Sequence, residues 1–321
     1  MRVLLLCLAL LPALAAAAGE LSSERVYSRA EQDCLLERLR SAAPETTVAQ
    51  LQAQCQSASA SGSAAEAMRD YQQRERDSER FLIQPHQATY ILPVGIQRGG
   101  SPGFDDQSPK DQEAKYQISF KSKLEDDLLG RDIDIYFAYT QTSFWQVYDN
   151  DYSNPFREND YSPELFLEMP LDWRWGDARF IAWRFGAQHE SNGRGPGYSR
   201  SWNRLYSEFL FEHGNAWLSV RPWWRLPEDG EDDDNPDITT YLGHGELRGG
   251  YRWQDHRLTL MTRNYWESDG KGAVQLDYSY PLTRYFRWHV QLFNGHGESL
   301  LDYDENVSRF SIGVMLEDGI H

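Results

Sequence analysis

The stretch QHESNGRGPGYSRSWNRLY, residues 188–206, holds three residues of catalytic type: His189, Ser191 and Asn203. A serine hydroxyl becomes a nucleophile when a neighbouring imidazole takes its proton, and a third polar group holds the imidazole in the correct tautomer. These three residues are candidates for those roles in acyl transfer. No G-x-S-x-G motif surrounds Ser191, which argues against an α/β-hydrolase. On spacing alone, three polar residues that make interfacial hydrogen bonds are an equal alternative.

The two-residue period of a β-strand places all three side chains on apolar rows. His189 and Ser191 continue one row, and Asn203 heads the row of the next strand. The two rows comprise Ile181, Trp183, Phe185 and Ala187, and Leu205, Phe209 and Phe211. Residues i and i+2 lie roughly 6.5–7 Å apart at Cα, a gap that an imidazole can bridge to a hydroxyl. A neutral amide also avoids the cost of a carboxylate near hydrocarbon, up to ~2–3 kcal/mol.

The elements that must position these residues are strands. From Thr89 onward the chain shows about twelve strand-like segments separated by turn signals. Tight turns such as WGD, HGN and QD alternate with longer loops at residues 147–163, 190–199, 227–238 and 295–306. Short turns at one rim and long loops at the other are typical of an outer-membrane barrel with an apolar outer wall and a polar lumen. We predict such an all-β barrel; a soluble barrel or sandwich with its apolar face inside is the alternative.

The N-terminal region predicts export. Residues 1–18 combine Arg2, an apolar run and a small-residue cleavage site, as in a secretory signal peptide. The apolar run is short for an anchor helix, which is the alternative. We expect residues 19–85 to form a periplasmic helical extension with a linker, and residues 86–321 to form the barrel. Because an exported chain meets an oxidising compartment, we expect a disulfide between Cys34 and Cys55, with two free thiols as the alternative.

The composition excludes some partners. The chain has 49 acidic and 32 basic residues, a formal net charge of −17. No basic face stands out, so nucleic acid is not expected as a partner. No stretch after the signal peptide resembles a membrane helix. The low mean hydropathy is compatible with a transmembrane barrel, because only every second residue of a strand faces lipid.

The active-site region of the outer-membrane phospholipase A family closely resembles HESNGRGPGYSRSWNRLY. Five further motifs are similar to that family in the same order: YTQTSFWQ, NPFRENDYSPELFLE, DDNPDITTYLG, GESLLDYD and GVMLED. The resemblance extends from about residue 85 to the C-terminus. It implies a twelve-stranded antiparallel barrel of the bacterial outer membrane that hydrolyses acyl esters of phospholipids, at both glycerol positions, and of lysophospholipids. It also implies a calcium-dependent homodimer whose active-site rim faces the cell exterior.

Carried onto this chain, the resemblance gives roles to individual residues. Ser191 is implied as the nucleophile, His189 as the base, Asn203 as the orienting residue, and the backbone N–H of Gly193 as part of the oxyanion hole. The implied calcium ligands are the Arg194 carbonyl, the Ser199 side chain and the carbonyl of Ser153 of the partner subunit. Oxygen ligands of this kind suit calcium.

Gln141 matches a glutamine that the family places in its dimer interface. The strand period separately puts it on an apolar row, where an amide needs a partner that a twin across a two-fold axis would supply. An amide near the headgroups is the alternative. The family often has an acidic residue of a second calcium site where this chain has Pro196. Asp234 is the remaining candidate ligand for such a site.

Two other functions compete with the phospholipase. A barrel that serves as a pore or a structural protein would need nothing on its lipid face, because pore function resides in the lumen. An outer-membrane protease would place acidic and histidine groups in a water-filled cleft. The candidate triad faces lipid, where phospholipid esters lie, so the sequence favours the phospholipase.

Overall fold

The computed structural model describes residues 38–40, 46–51, 83–100, 109–151, 153, 155–230, 233–264 and 271–316. Contacts divide the chain into Met1–Ala67 and Met68–His321. In the first unit, helical turns occur at 38–40 and 48–51. The second turn begins with a capping box, in which the Thr47 backbone donates to Gln50 Oε1 (3.0 Å) and the Gln50 backbone donates to Thr47 Oγ1 (3.3 Å). The predicted signal peptide and the Cys34–Cys55 disulfide lie outside the described residues.

In the described part of the second unit, twelve strands form a closed antiparallel ring, because each pairs with its neighbours in the chain and the last pairs with the first. A further strand of two residues pairs with Phe120 and Lys121, in the second strand of the ring. The all-β, twelve-stranded antiparallel barrel is therefore confirmed. The strands are β1 (Gln84–Pro85), β2 (Tyr90–Gly99), β3 (Ala114–Glu125), β4 (Asp134–Trp145), β5 (Phe156–Trp175), β6 (Ala178–Ser191), β7 (Ser201–His213), β8 (Ala216–Arg225), β9 (Gly245–Trp253), β10 (His256–Arg263), β11 (Ala273–Pro281), β12 (Phe286–His296) and β13 (Asn306–Leu316).

The connections alternate in length around the ring, as the sequence predicts. Short turns at residues 176–177, 214–215 and 254–255 lie at one rim, and the connections at 192–200, 226–244 and 297–305 lie at the other. Besides the strands, the structure describes a 3-10 turn at Leu128–Gly130 and a short helix at Ile238–Leu242. No helix in the described ranges is long and apolar enough to cross a membrane.

Two boundaries differ from the sequence prediction. Strand β5 begins at Phe156, so half of the segment predicted as a loop at 147–163 is strand. Its charged residues resemble a loop in sequence, but Arg157 is buried and pairs with Glu113 across 2.8 Å. The connection predicted as a loop at 227–238 extends further, because residues Ile238–Leu242 are helical and β9 begins only at Gly245.

The outer wall is apolar and the interior is polar. Large apolar side chains that point outward include Leu165, Phe185, Leu218, Leu258, Leu260, Trp288 and Phe310. Inside, Arg309 pairs with Glu113 (2.8 Å) and Glu298 (2.8 Å), and Lys115 reaches Glu298 at 3.1 Å. A soluble barrel has the reverse arrangement, with its apolar side chains packed inside. The outward orientation of the large apolar side chains therefore favours the membrane barrel over the soluble alternative.

The lumen is filled near the rim that carries the long connections. Ile238 and Leu242 of the short helix are buried in one cluster with Trp202, Trp223 and Tyr303. The Trp223 indole donates to the Gly243 carbonyl at 2.9 Å, and the Tyr303 hydroxyl donates to Asp237 Oδ1 at 2.6 Å. Burial and this hydrogen bond raise the pKa of the Tyr303 phenol, which therefore stays a donor. Aromatic packing and ion pairs thus occupy space that an open pore would leave to water.

Candidate active site

A single hairpin brings the candidate residues together. His189 and Ser191 end β6, Asn203 lies near the start of β7, and the ladder places His189 directly opposite Asn203. His189 Nδ1 lies 2.9 Å from Asn203 Oδ1. An amide oxygen only accepts hydrogen bonds, so the ring nitrogen that faces it carries the proton. The other ring nitrogen, Nε2, is left with a free lone pair, which is the tautomer that a general base requires.

The three side chains face outward, as their strand parity predicts. They are half-buried, and the two preceding outward positions on β6, Phe185 and Ala187, are exposed. Ser191 lies one outward position beyond His189, with Ser201 of β7 and Tyr161 of β5 as its cross-strand neighbours. The predicted row on the outer wall is thus present, with His189 and Asn203 in direct contact.

A groove of about 280 Å³ opens on the outer wall beside His189. His189 and Asn203 form part of its lining, and most of the other lining side chains are apolar. The remaining lining residues are Phe137, Pro163, Glu164, Leu165, Ala187, Gln188, Arg204 and Leu226. An apolar groove that ends at a histidine fits an acyl chain whose ester lies at the rim.

The connection between β6 and β7, residues 192–200, is fastened by the Asn192 side chain. Asn192 is 4% exposed. Its amide donates to the Tyr198 carbonyl (2.8 Å) and accepts from the backbone N–H groups of Arg194 (3.3 Å) and Arg200 (3.0 Å). One buried side chain thus holds both ends of the loop that follows Ser191. The sequence analysis did not identify this role, although Asn192 lies between Ser191 and Gly193.

Gly193 and Arg194 follow Asn192 in a defined conformation. Gly193 has a φ of +64°, and a Cβ at that position would lie 3.3 Å from the Tyr161 ring. The Arg194 guanidinium donates to Glu158 Oε2 at 2.7 Å and also to the Arg157 carbonyl. Glu158 is fully buried. The side chain of Arg194 is therefore anchored to β5, and its carbonyl belongs to a loop with fixed geometry.

The predicted calcium ligands lie in three connections of this rim. Ser199 shares the 192–200 loop with Arg194, and its N–H donates to the Gly195 carbonyl at 2.9 Å. Ser153 is exposed, with a φ of +60°. Asp234 is exposed and adjoins Asn235, whose side-chain oxygen accepts from the Ser201 N–H at 3.0 Å. These positions stay predictions for metal binding.

Across the described ranges, no group of three or more histidine, cysteine, aspartate or glutamate side chains is placed to hold a metal ion. A calcium site in this loop would therefore rely on carbonyl and hydroxyl oxygens and on water. Such hard oxygen donors fit calcium. A site poor in carboxylates would also gain from a ligand on a second copy of the chain.

Gln141 lies on the outer wall in β4, as predicted. Its Oε1 accepts from the Tyr139 hydroxyl at 3.2 Å, and its Nε2 donates to Ser143 Oγ at 3.0 Å. The amide thus has hydrogen-bond partners on its own strand. It does not need the Gln141 of a second subunit to satisfy its polar atoms. Its place in a dimer interface stays a prediction.

Glu228, which follows β8 in the 226–244 connection, contacts the site although its sequence context does not indicate it. Asn203 Nδ2 donates to Glu228 Oε1 across 3.1 Å. The sequence shows Glu228 only as the first of many acidic residues in EDGEDDDNPD. Nothing in that composition separates a residue that contacts the site from a solvated one.

Comparison with known proteins identifies the family. A family model described as phospholipase A1 matches residues 67–316. The curated phospholipase A1 of Escherichia coli (strain K12) is 36% identical over 242 residues, which cover 74% of this chain and 82% of that protein. Outer membrane phospholipase A from Escherichia coli has a TM-score of 0.68 and 35% identity, with 74% of this chain and 99% of that chain covered.

A second solved structure is described as the Salmonella typhi outer membrane phospholipase dimer with bound calcium. It has a TM-score of 0.67 and 34% identity, and it covers 74% of this chain and 93% of that one. The family model spans more than half of the chain, and the Escherichia coli relative is well over 30% identical across most of its length. The chain therefore belongs to the phospholipase A1 family.

Proposed function

We propose that this chain is a calcium-dependent outer-membrane phospholipase that hydrolyses acyl esters of phospholipids and lysophospholipids. Ser191, His189 and Asn203 carry out the chemistry on the outer wall, with phospholipase A1 and A2 activities. The observation that carries this proposal is the 2.9 Å contact between His189 Nδ1 and Asn203 Oδ1 on a surface that faces lipid. A base oriented toward the membrane has its ester substrate in the surrounding bilayer.

In the proposed reaction, His189 Nε2 removes the proton of Ser191 as its Oγ attacks the acyl carbonyl. Asn203 stabilises the Nδ1–H that must stay on the ring while Nε2 gains a proton. The imidazolium then gives that proton to the leaving alkoxide of the glycerol, and a fatty-acyl serine remains. A water molecule, activated by His189 in the same way, releases the fatty acid.

Negative charge develops on the carbonyl oxygen during both steps. The backbone N–H of Gly193, two residues after Ser191, is the proposed donor to that oxygen. Preorganised donors of this kind contribute roughly 2.7–4 kcal/mol each in serine hydrolases. The left-handed conformation of Gly193 and the Asn192 hydrogen bonds fix the direction of this N–H.

The oxygen donors of the 192–200 loop fit calcium. In the proposed site the Arg194 carbonyl and the Ser199 hydroxyl would hold the ion, together with the carbonyl of Ser153 of the partner subunit. A bound calcium supplies positive charge that polarises water and favours the oxyanion. A ligand from a second copy couples dimerisation to activation. The Salmonella typhi relative, a dimer with bound calcium, supports both parts of this proposal.

The non-enzymatic pore is the weaker candidate. The lumen holds the Glu113–Arg157–Arg309 ion pairs and the aromatic cluster around Trp202 and Trp223. An open channel needs that volume for water. The candidate catalytic groups lie on the opposite side of the wall, where a pore has no use for them.

The direct test is fatty-acid release from phospholipid in detergent micelles by the refolded protein. Wild type and Ser191→Ala would be compared with excess calcium and with a chelator. We expect calcium-dependent release that falls by at least about 10³-fold in the variant, as for other serine nucleophiles. The heat-dependent shift in gel mobility would show that both barrels are folded. Absence of release by a folded wild type across calcium levels and detergents would contradict the proposal.

A further inference from the structure

The contact between Asn203 and Glu228 extends the candidate triad by one residue. Asn203 Oδ1 faces His189 at 2.9 Å, and Asn203 Nδ2 donates to Glu228 Oε1 at 3.1 Å. Both ends of the amide are therefore engaged, one by the base and one by a carboxylate. Glu228 is half-buried, and it lies in the connection that follows β8, outside the β6–β7 hairpin that holds the triad.

The carboxylate selects one of the two orientations of the amide. The oxygen and the nitrogen of asparagine are nearly equal in shape, so either could face the imidazole. If the NH₂ group faced His189 Nδ1, that nitrogen would have to accept, and the proton would move to Nε2. The ring could then not take the Ser191 proton. Glu228 only accepts hydrogen bonds while ionised, so it binds the NH₂ end and turns the oxygen toward His189.

Backbone hydrogen bonds of the neighbouring residues help to place Glu228 beside Asn203. The Leu226 N–H donates to the Asn203 carbonyl at 2.8 Å, which continues the β7–β8 ladder past the end of the strand. Arg225 ties the far side of the loop through Asp233 Oδ1 (2.6 Å) and the Pro236 carbonyl (2.9 Å). The segment that leads to Glu228 is therefore fixed at its start, two residues before the carboxylate, next to Asn203.

We propose that Glu228 is a positioning residue that orients the Asn203 amide and, through it, sets the tautomer of His189. This inference rests on the proposed function of Ser191, His189 and Asn203. The carboxylate also polarises the amide, so that Asn203 Oδ1 becomes a stronger acceptor as the ring gains positive charge. The neutral Asn203 amide thus lies next to the histidine, and the negative charge of Glu228 lies further out, toward the aqueous rim.

The first test removes the carboxylate. We expect Glu228→Ala to lower kcat about 10-fold, the size of one charge-assisted hydrogen bond, with KM for phospholipid micelles changed less than about 2-fold. Glu228→Asp, with the same charge on a shorter side chain, should recover part of the loss. The matched control is Asp229→Ala, an exposed acid on the same loop, which should have wild-type kcat.

A second test asks whether the effect of Glu228→Ala on kcat changes direction when Asn203 is also replaced. In Asn203→Asp, the side chain has no N–H for Glu228, and two carboxylates would face each other. Glu228→Ala should therefore leave kcat unchanged or raise it in that background, although it lowers kcat in the wild type. A loop residue with a purely structural role would lower activity in both backgrounds. Equal losses in both backgrounds would overturn the inference.

Calcium titration separates this role from metal binding. At saturating calcium the kcat loss of Glu228→Ala should persist, and the half-activating calcium concentration should stay within about 2-fold of wild type. A loss that excess calcium fully restores would assign Glu228 to the metal and overturn the inference. Wild-type kcat in Glu228→Ala, with Ser191→Ala inactive, would overturn the role of Glu228 and leave the proposed function standing. Full activity of Ser191→Ala would overturn the proposed function itself.

Discussion

In the proposed triad, Asn203 takes the place that an aspartate usually has in serine hydrolases. The site faces lipid, and burying an unpaired charge there is costly, whereas a neutral amide needs only a hydrogen bond at each end. The ladder supplies one partner, His189, and the connection after β8 supplies the other, Glu228. The choice of residue type thus follows from the place of the site on the barrel wall.

Gly193 offers a test of the proposed oxyanion donor. We expect Gly193→Ala to lower kcat by about 10-fold or more, because its left-handed φ and the Tyr161 ring oppose a Cβ and the N–H would shift. The matched control is Gly195→Ala in the same loop, where an added Cβ meets open space. The measurement is kcat at saturating calcium. Equal activity of the two variants would contradict the role of Gly193.

The row of candidate catalytic residues was predictable from the sequence because strand parity is a local property. Once β6 and β7 are assigned, His189, Ser191 and Asn203 must share the outer face. Glu228 was not predictable in this way, because its contact depends on how a loop leaves β8. Asn192 was missed for a related reason, since its side chain acts on backbone groups that the sequence does not display.

At the scale of elements, the loop 192–200 is the part of the site with the least support from strands. The three hydrogen bonds of Asn192 contribute to its stability, together with the anchored Arg194 side chain. A buried amide with this many partners is expensive to remove, because three partly buried backbone groups lose the partner that it supplies.

We therefore expect Asn192→Ala to reduce kcat by about 10–100-fold and to raise the calcium concentration needed for half-activation, because several loop hydrogen bonds of ~1 kcal/mol each are lost. Asn192→Asp keeps the acceptor but loses the donor to Tyr198, so it should be intermediate. Lipid hydrolysis over a calcium series measures both effects. Wild-type behaviour of Asn192→Ala would show that the loop has other sufficient supports.

The element boundaries that were wrong share one cause. Strand β5 begins with the charged and polar run from Phe156 to Pro163, whose composition is typical of a loop. It forms a strand because the ionic lumen provides partners for its charged side chains. The helix Ile238–Leu242 is short, and it is stabilised by packing against Leu300 and Tyr303, which lie far away in the sequence. Tertiary contacts decided both, whereas the number, pairing and direction of the strands followed from periodicity and loop length.

At the scale of the whole molecule, the apolar outer wall and the polar lumen make the barrel stable in a lipid bilayer. Leu260 is 47% exposed on the outer wall, near the middle of β10. We expect Leu260→Arg to destabilise the barrel in lipid vesicles by about 2–4 kcal/mol, because charge on the lipid face is most costly near the midplane. The control is Leu282→Arg, in a short turn at the opposite rim from the site, with an expected cost of about 0–1 kcal/mol.

Equilibrium unfolding by denaturant in vesicles would give both free energies. Equal costs at the two positions would mean that Leu260 does not face the bilayer core. In detergent micelles, where the surroundings adapt to the charge, the difference between the variants should shrink.

The closed ring has a topological consequence. Because β13 pairs with β2 and the Leu316 N–H donates to the Thr89 carbonyl at 2.9 Å, the two ends of the barrel chain already meet. A ring has no required starting strand. The ends could be joined and the chain reopened at the Gln254–Asp255 turn, on the rim away from the active site, without separating β6, β7 and β8. The chemistry is thus independent of where the polypeptide begins, and the barrel is a scaffold that circular permutation could reorder around an intact site.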